Sequence, residues 1–360
     1  MATDTLIRSC QDESSTAPLE KNTVNMTINE IQHACDGGQK LDFSRHPLEA
    51  PALTLREMFY PFGFPTELRT NSTEVLAQAR KLWSVFEPRF DTKPIRVDVH
   101  RVEGSSDECP PTPEFRMTLP LLLNMADADN YSIVNLDAAR TQVMISRAAE
   151  RHPSYLNHFF LGSAPLSHIA TRFTTPVHAG CVSLDGHGVL LCGDSGAGKS
   201  TLSYACARAG WTYTCDDAVF LLNSGEDRVV TGNCHQVRFR PSAATLFPEI
   251  EGLEVTPRAA GKPSIELPTD TMKGITCAPT ANVDFLVFLN RNASGPPELR
   301  PYRKDVARQV LRQVLFGSPE SLAAQYVAAE RLLTAEVFEL RYSALDWAIN
   351  RLKTLVRKGR

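Results

Sequence analysis

The stretch GVLLCGDSGAGKSTLSYACARAGWTYTCDDAVFLL, Gly188–Leu222, decides how the rest of the chain is read. Within it Gly193-Asp194-Ser195-Gly196-Ala197-Gly198-Lys199-Ser200 matches G-x-x-x-x-G-K-[ST] without a gap. Glycines let a backbone wrap closely, so successive N–H groups point at phosphate oxygens. A helix opening near Lys199 adds its positive N-terminal end. Lys199 supplies a mobile cation for the β- and γ-phosphates, and the Ser200 hydroxyl suits Mg²⁺. The flanks agree with the motif: apolar GVLLC reads as a strand, and TLSYACARAG reads as a helix. A dinucleotide fingerprint fits worse, because no G-x-G-x-x-G overlaps this turn.

The second half of the stretch ends in Asp216 and Asp217. In most hydrolysing P-loop proteins the metal-holding aspartate closes a strand well downstream. Here the pair closes the strand that follows the loop's own helix. One carboxylate is free to hold Mg²⁺, and the other to take a proton from an attacking hydroxyl. Adjacent carboxylates beside a polyphosphate repel each other, which raises at least one proton affinity and suits a base.

The run from Val177 to Leu222 resembles the catalytic domain of HPr kinase/phosphorylase and its relatives, bacterial kinases that share a fold with phosphoenolpyruvate carboxykinase. Such proteins carry a histidine and a small residue one strand before the loop, then GDSG-x-GKS. A helix ending in a basic residue and glycine follows, and then an Asp-Asp pair. Those places hold His178-Ala179, Gly193–Ser200, Arg208-Ala209-Gly210 and Asp216-Asp217. The resemblance implies that Lys199 and the loop through Thr201 bind the phosphates, and that Ser200 and Asp217 hold Mg²⁺. It makes Asp216 the general base, tuned by His178. It implies ATP as the nucleotide, with GTP open, and leans toward a homo-oligomer. The chain is similar also to HPr-kinase-like proteins of biosynthetic clusters, including those that phosphorylate peptide precursors. Thr201 stands where HPr kinases usually carry an acidic residue, and HQVRFRPSAATLFPEI replaces the stretch that brings them another metal carboxylate and an arginine.

Arg238 and Arg240 alternate onto one strand face of that segment and, with Lys262, are candidate anion contacts. His187, in the DGHG turn, reads as an ordinary surface histidine.

The expected fold is α/β. Residues 1–50 are polar and read as a disordered tail with a short helix near Met26–Cys35. Residues 51–150 read as a smaller α/β domain, with strands at LTLREMFY, PTELRT, PIRVDVHRV, EFRMTL, YSIVNLD and TQVMISRA and a helix in NSTEVLAQARKLWSVF. Residues 151–360 read as the P-loop catalytic domain, entered through a helix over about Pro153–Arg172.

The chain has 360 residues, net charge −3 and 9 cysteines. That charge gives no global pull toward nucleic acid or an anionic membrane. Cys181, Cys192, Cys206 and Cys215 lie in apolar runs, and no C-x-x-C pair occurs, which suits a reducing cytoplasm. No signal-peptide core or membrane-length apolar run is visible. The residues point to an ATP- and Mg²⁺-dependent kinase acting on a hydroxyl, of Ser or Thr in a protein or peptide or of a small metabolite. A nucleotide-binding regulator without an acceptor is the alternative from a different class.

Overall fold

The computed structural model describes residues 27–37, 39, 50–255, 263–291 and 295–358. The chain divides into two units, Met1–Glu49 and Ala50–Arg360. In the first, Ile28–Asp36 is a helix opened by a capping box. The Glu30 carboxylate accepts the Thr27 N–H at 2.7 Å, and the Thr27 hydroxyl accepts the Glu30 N–H at 3.4 Å. Of the expected tail, residues 1–26, 38 and 40–49 lie outside the described residues.

The second unit is mixed α/β and contains two large sheets. Seven strands form one of them, in the spatial order Leu55–Phe59, Thr66–Thr70, Ile95–Val102, Arg140–Ser146, Tyr131–Asn135, Leu121–Met125, Glu114–Thr118. Its middle is parallel, with Thr66–Thr70 beside Ile95–Val102 and that strand beside Arg140–Ser146. The strand Leu121–Met125 has no counterpart in the sequence reading. Its three leucines show no alternation, so no strand period announces it. Helix Thr73–Trp83 starts where expected, and the Ser72 hydroxyl accepts the Val75 N–H at 3.1 Å.

The helical connection is present but is not one regular helix. Two α segments, Pro153–Leu156 and Ser163–His168, alternate with wider π-type turns, Asn157–Leu161 and Ile169–Phe173. It lays Leu156, Phe160, Leu161, Ala164 and Ile169 against Val97, Val99, Val143 and Ile145 of the sheet. His168 is carried inside with these residues, Nε2 3.0 Å from the Thr141 hydroxyl. Burial pushes the His168 pKa down from 6.5 to about 3. Below about pH 6.5 the unfolded chain therefore binds a proton that the folded chain refuses until about pH 3. Stability from this group falls as pH drops through that window, by about 2 kcal/mol between pH 7 and pH 5. Denaturant unfolding at the two pH values should show this extra loss in the wild type and not in His168→Gln.

The second sheet has ten strands. Strand His187–Cys192 lies between antiparallel Ala179–Leu184 and parallel Thr280–Asn290, and the latter runs parallel to Glu336–Arg341. Strands Thr212–Cys215, Val219–Leu222, Val229–Gly232 and Thr174–Val177 extend it with antiparallel pairings. Helix Lys199–Arg208 packs on Ala179–Leu184, where Gly180 leaves room; a Cβ there would collide with the Ser203 hydroxyl. Buried Leu202 and Cys206 of this helix join Val182, Val189 and Leu191 of the sheet, and helix Leu345–Lys358 closes the same core with Leu352 and Leu355. Among the described residues no helix is long and apolar enough to cross a membrane. The described cysteines are free thiols, five of them buried.

Candidate active site

Three parallel strands end side by side, and their carboxyl ends set the site. Cys192 is in register with Phe288, and Asn290 with Arg341. Crevices outside such strand ends are where α/β sheets take their ligands. The loop Gly193–Gly198 leaves the first of these strands and delivers Lys199 as the first residue of its helix. Gly198 has φ 101°, and a Cβ on it would lie 2.7 Å from the Tyr342 hydroxyl. Only glycine meets both conditions here.

His178 and the aspartate pair reach the loop through matching breaks in two neighbouring stretches. Strands Thr174–Val177 and Ala179–Leu184 are interrupted at His178 alone, and Thr212–Cys215 and Val219–Leu222 at 216–218. Cys215 pairs with Cys181 and Val219 with Val177, so the two interruptions face each other. Residues freed from the ladder at this point can aim side chains across the sheet end.

Lys199 is where they converge. Its Nζ lies 2.7 Å from His178 Nε2 and 3.6 Å from Asp217 Oδ1. It also donates to the carbonyls of Gly193 at 2.8 Å and Asp194 at 3.3 Å. Burial lowers the Lys199 pKa, and the Asp217 charge opposes that shift. His178 Nε2 stands 3.7 Å from Asp217 Oδ1. Burial, and then the Lys199 charge, hold the His178 pKa below its ordinary value.

Asp216 occupies a different environment from its neighbour. It is buried, and its Oδ2 accepts the Arg238 backbone N–H at 3.0 Å. Burial raises its pKa and the Asp217 charge adds to this, while the Arg238 amide and a hydrogen bond with Ser200 act the other way. From sequence, Ser200 is expected with Asp217 and His178 with Asp216. In the structure His178 lies beside Asp217, and the Ser200 hydroxyl acts to lower the Asp216 pKa.

The facing wall is the strand Gln236–Phe239 and the short helical turn Pro241–Thr245 after it. Val237 and Phe239 are buried, Phe239 edge-on to Tyr204 at 4.9 Å, whereas Arg238 and Arg240 are exposed on the other face. Arg240 donates to the Ser195 hydroxyl at 2.9 Å, tying this wall to the phosphate loop. The Arg238 guanidinium is engaged by Gln236 and Glu266, at 3.2 and 3.3 Å. Lys262 lies outside the described residues. His187 is bonded to Asp284 at 2.9 Å and is not among the residues of the cleft.

The cleft enclosed by these elements has a volume of about 600 Å³, within the range of about 300–1,000 Å³ usual for small-molecule sites. His178, Ser195, Gly196, Gly198, Lys199, Ser200, Thr201, Asp216, Asp217, Arg238 and Arg240 all line it. So does Arg291, which sequence reasoning missed. It is the first residue after strand Thr280–Asn290, and its guanidinium has no ion-pair partner among the described residues. The signal is an arginine directly after a buried strand, but it becomes meaningful only once that strand is known to lie parallel to the loop strand. Among the described residues no three His, Cys, Asp or Glu side chains gather into a metal cluster. Mg²⁺ does not require one, since it is commonly bound by one or two carboxylates together with substrate phosphates and water. Ser200 and an adjacent carboxylate fit that pattern.

A solved kinase structure is similar. It is the HPr(Ser) kinase/phosphatase from Coxiella burnetii, at TM-score 0.31 and 17% identity over 52% of this chain and 96% of that chain. The likeness is distant. No family model matches the chain, and no curated protein matches it.

Proposed function

We propose that the chain is a cytoplasmic, Mg²⁺-dependent phosphotransferase that moves the γ-phosphoryl group of ATP to a hydroxyl, with Ser or Thr of a protein or peptide as the acceptor class. The observation that carries this reading is the convergence of the phosphate-loop lysine, a histidine and two unlike aspartates in one cleft. Loop amides and the helix start would hold the phosphates. Lys199 would exchange the carbonyls of Gly193 and Asp194 for phosphate oxygens, remaining next to Asp217. Arg240 and Arg291 bring two further guanidiniums to the same cleft, and such groups match phosphate oxygens well.

The roles of the aspartates follow from what each one touches. Asp216, whose pKa the Ser200 hydroxyl acts to lower and which lines the cleft with it, would hold Mg²⁺ together with that hydroxyl. When bound there, the ion neutralises charge developing on the phosphoryl oxygens. Asp217 faces the half-open part of the cleft beside His178. It would take the proton of an incoming hydroxyl. This exchanges the roles that the family resemblance implies for the pair.

A regulator that only hydrolyses ATP needs no second carboxylate beside the lysine and the histidine. The two readings separate on the fate of the γ-phosphoryl group. A transferase loads it onto an acceptor hydroxyl, whereas a regulator releases it as inorganic phosphate in every mixture.

A further inference from the structure

The seven-stranded sheet has two unlike faces. One packs Leu68, Val97, Val99, Val143 and Ile145 against the helices. On the other, strand register sets Arg56, Arg69, Asp98 and Gln142 in one row across four strands. Met58, Glu67, Arg96 and Arg140 form the next row on the same face.

In this patch four guanidiniums surround two carboxylates. Arg56 and Arg96 share Glu67, the latter at 3.4 Å; Arg69 and Arg140 share Asp98, at 3.8 and 2.6 Å. The carboxylates are sunk, with side-chain exposures of 9% for Glu67 and 0% for Asp98. The guanidiniums are outermost, from 37% for Arg69 to 72% for Arg56. Asp98 Oδ1 has no hydrogen-bond partner although it is buried. Two positive charges are thus left over on a surface whose acids are hidden. A face shaped for solubility alone would intersperse exposed charges of both signs.

We infer that this arginine face docks a short acidic segment of a partner protein, with Asp or Glu at alternate positions of an extended chain. A planar guanidinium fork matches a carboxylate with two parallel hydrogen bonds. Side chains on one face of an extended segment recur about every 6.8 Å, and neighbouring strands lie about 4.8 Å apart. Carboxylates at that repeat meet guanidiniums in both rows. A long polyanion fits worse. The chain's net charge is −3, which repels an extended negative surface at long range, and the sunken carboxylates repel it at contact. This inference is independent of the catalytic reading, because none of its residues lines the cleft.

The test uses the full chain and a fluorescent 16-residue peptide of alternating Glu and Thr, read by anisotropy beside the same peptide with Gln for Glu. The acidic peptide should bind at least about tenfold more tightly than the Gln peptide and weaken as salt is raised. Arg56→Gln with Arg69→Gln should abolish that preference, while leaving Arg96 on Glu67 and Arg140 on Asp98. Circular dichroism checks that the double variant is folded. If it is not, the single Arg56→Gln, at the most exposed position, carries the test and should weaken acidic-peptide binding several-fold. Equal binding of the two peptides, or binding of neither, overturns the inference. So does an arginine variant, folded and binding as tightly as wild type, or tighter binding of oligo(dT) or phosphatidylserine vesicles than of the acidic peptide.

Discussion

Lys199→Ala is expected to lower phosphoryl turnover by about 10²–10³-fold, the usual loss when one preorganised charge-stabilising group is removed from an active site. The size follows from its surroundings. Lys199 is buried, and its ammonium is fixed by two loop carbonyls and the His178 ring. Exchanging those carbonyls for phosphate oxygens would leave the ammonium beside Asp217 and within reach of the charge that develops on the phosphate. Arg240 and Arg238 do not replace it, because Arg240 reaches the outer loop at Ser195 and Arg238 is occupied by Glu266. ATP affinity should fall as well, since the same ammonium would contact the phosphates of a bound nucleotide. Steady-state turnover and calorimetric titration of ATP, on wild type and variant, measure the two effects. Unchanged turnover with unchanged affinity would contradict the phosphate-cradle assignment.

Asp217→Asn should produce a loss as large or larger, and a different pattern. If Asp217 takes the acceptor proton, transfer falls by roughly 10²–10⁴-fold while Mg-ATP binding stays close to wild type. Asp216→Asn should instead weaken Mg²⁺-dependent nucleotide binding, because Asp216 is the carboxylate proposed to hold the ion together with Ser200, which lines the same cleft. Binding and transfer measured separately on both variants decide between the assignments. Transfer lost with binding intact in Asp216→Asn, together with binding lost in Asp217→Asn, would restore the roles implied by resemblance. Full activity in both variants would remove the pair from the chemistry.

Much of the site is legible in the chain because its parts are local. The loop, the apolar strand before it, the helix after it and the aspartates at the end of the next strand occupy one stretch of sequence, and each has its own signature. The alternation of Arg238 and Arg240 onto one face is likewise a strand-period signal, and it holds in the structure. Pairings between stretches are not legible in this way. Which aspartate His178 meets depends on two strand breaks falling opposite each other, a matter of register across the sheet. Arg291 reaches the cleft only because its strand runs parallel to the loop strand. The π-type turns between Pro153 and Phe173 widen a helix without altering its composition, so the apolar period there suggests one continuous helix. Strand Leu121–Met125 hides for a related reason, as a uniform apolar run fits more than one element.

Transfer of a phosphoryl group by the cleft and mere hydrolysis differ in where the γ-phosphate ends. The most direct measurement follows the γ-phosphoryl of labelled ATP in the presence of Mg²⁺, wild-type protein and fractionated lysate of the source cell. Inorganic phosphate is separated from covalently labelled protein, peptide and metabolite, and the labelled species are resolved by mass. The account predicts label on a hydroxyl of a discrete acceptor, stable as a phosphoester, and its absence when Asp217→Asn protein is used. Label recovered only as inorganic phosphate in every fraction, at a slow rate unaffected by Asp217→Asn, would contradict it.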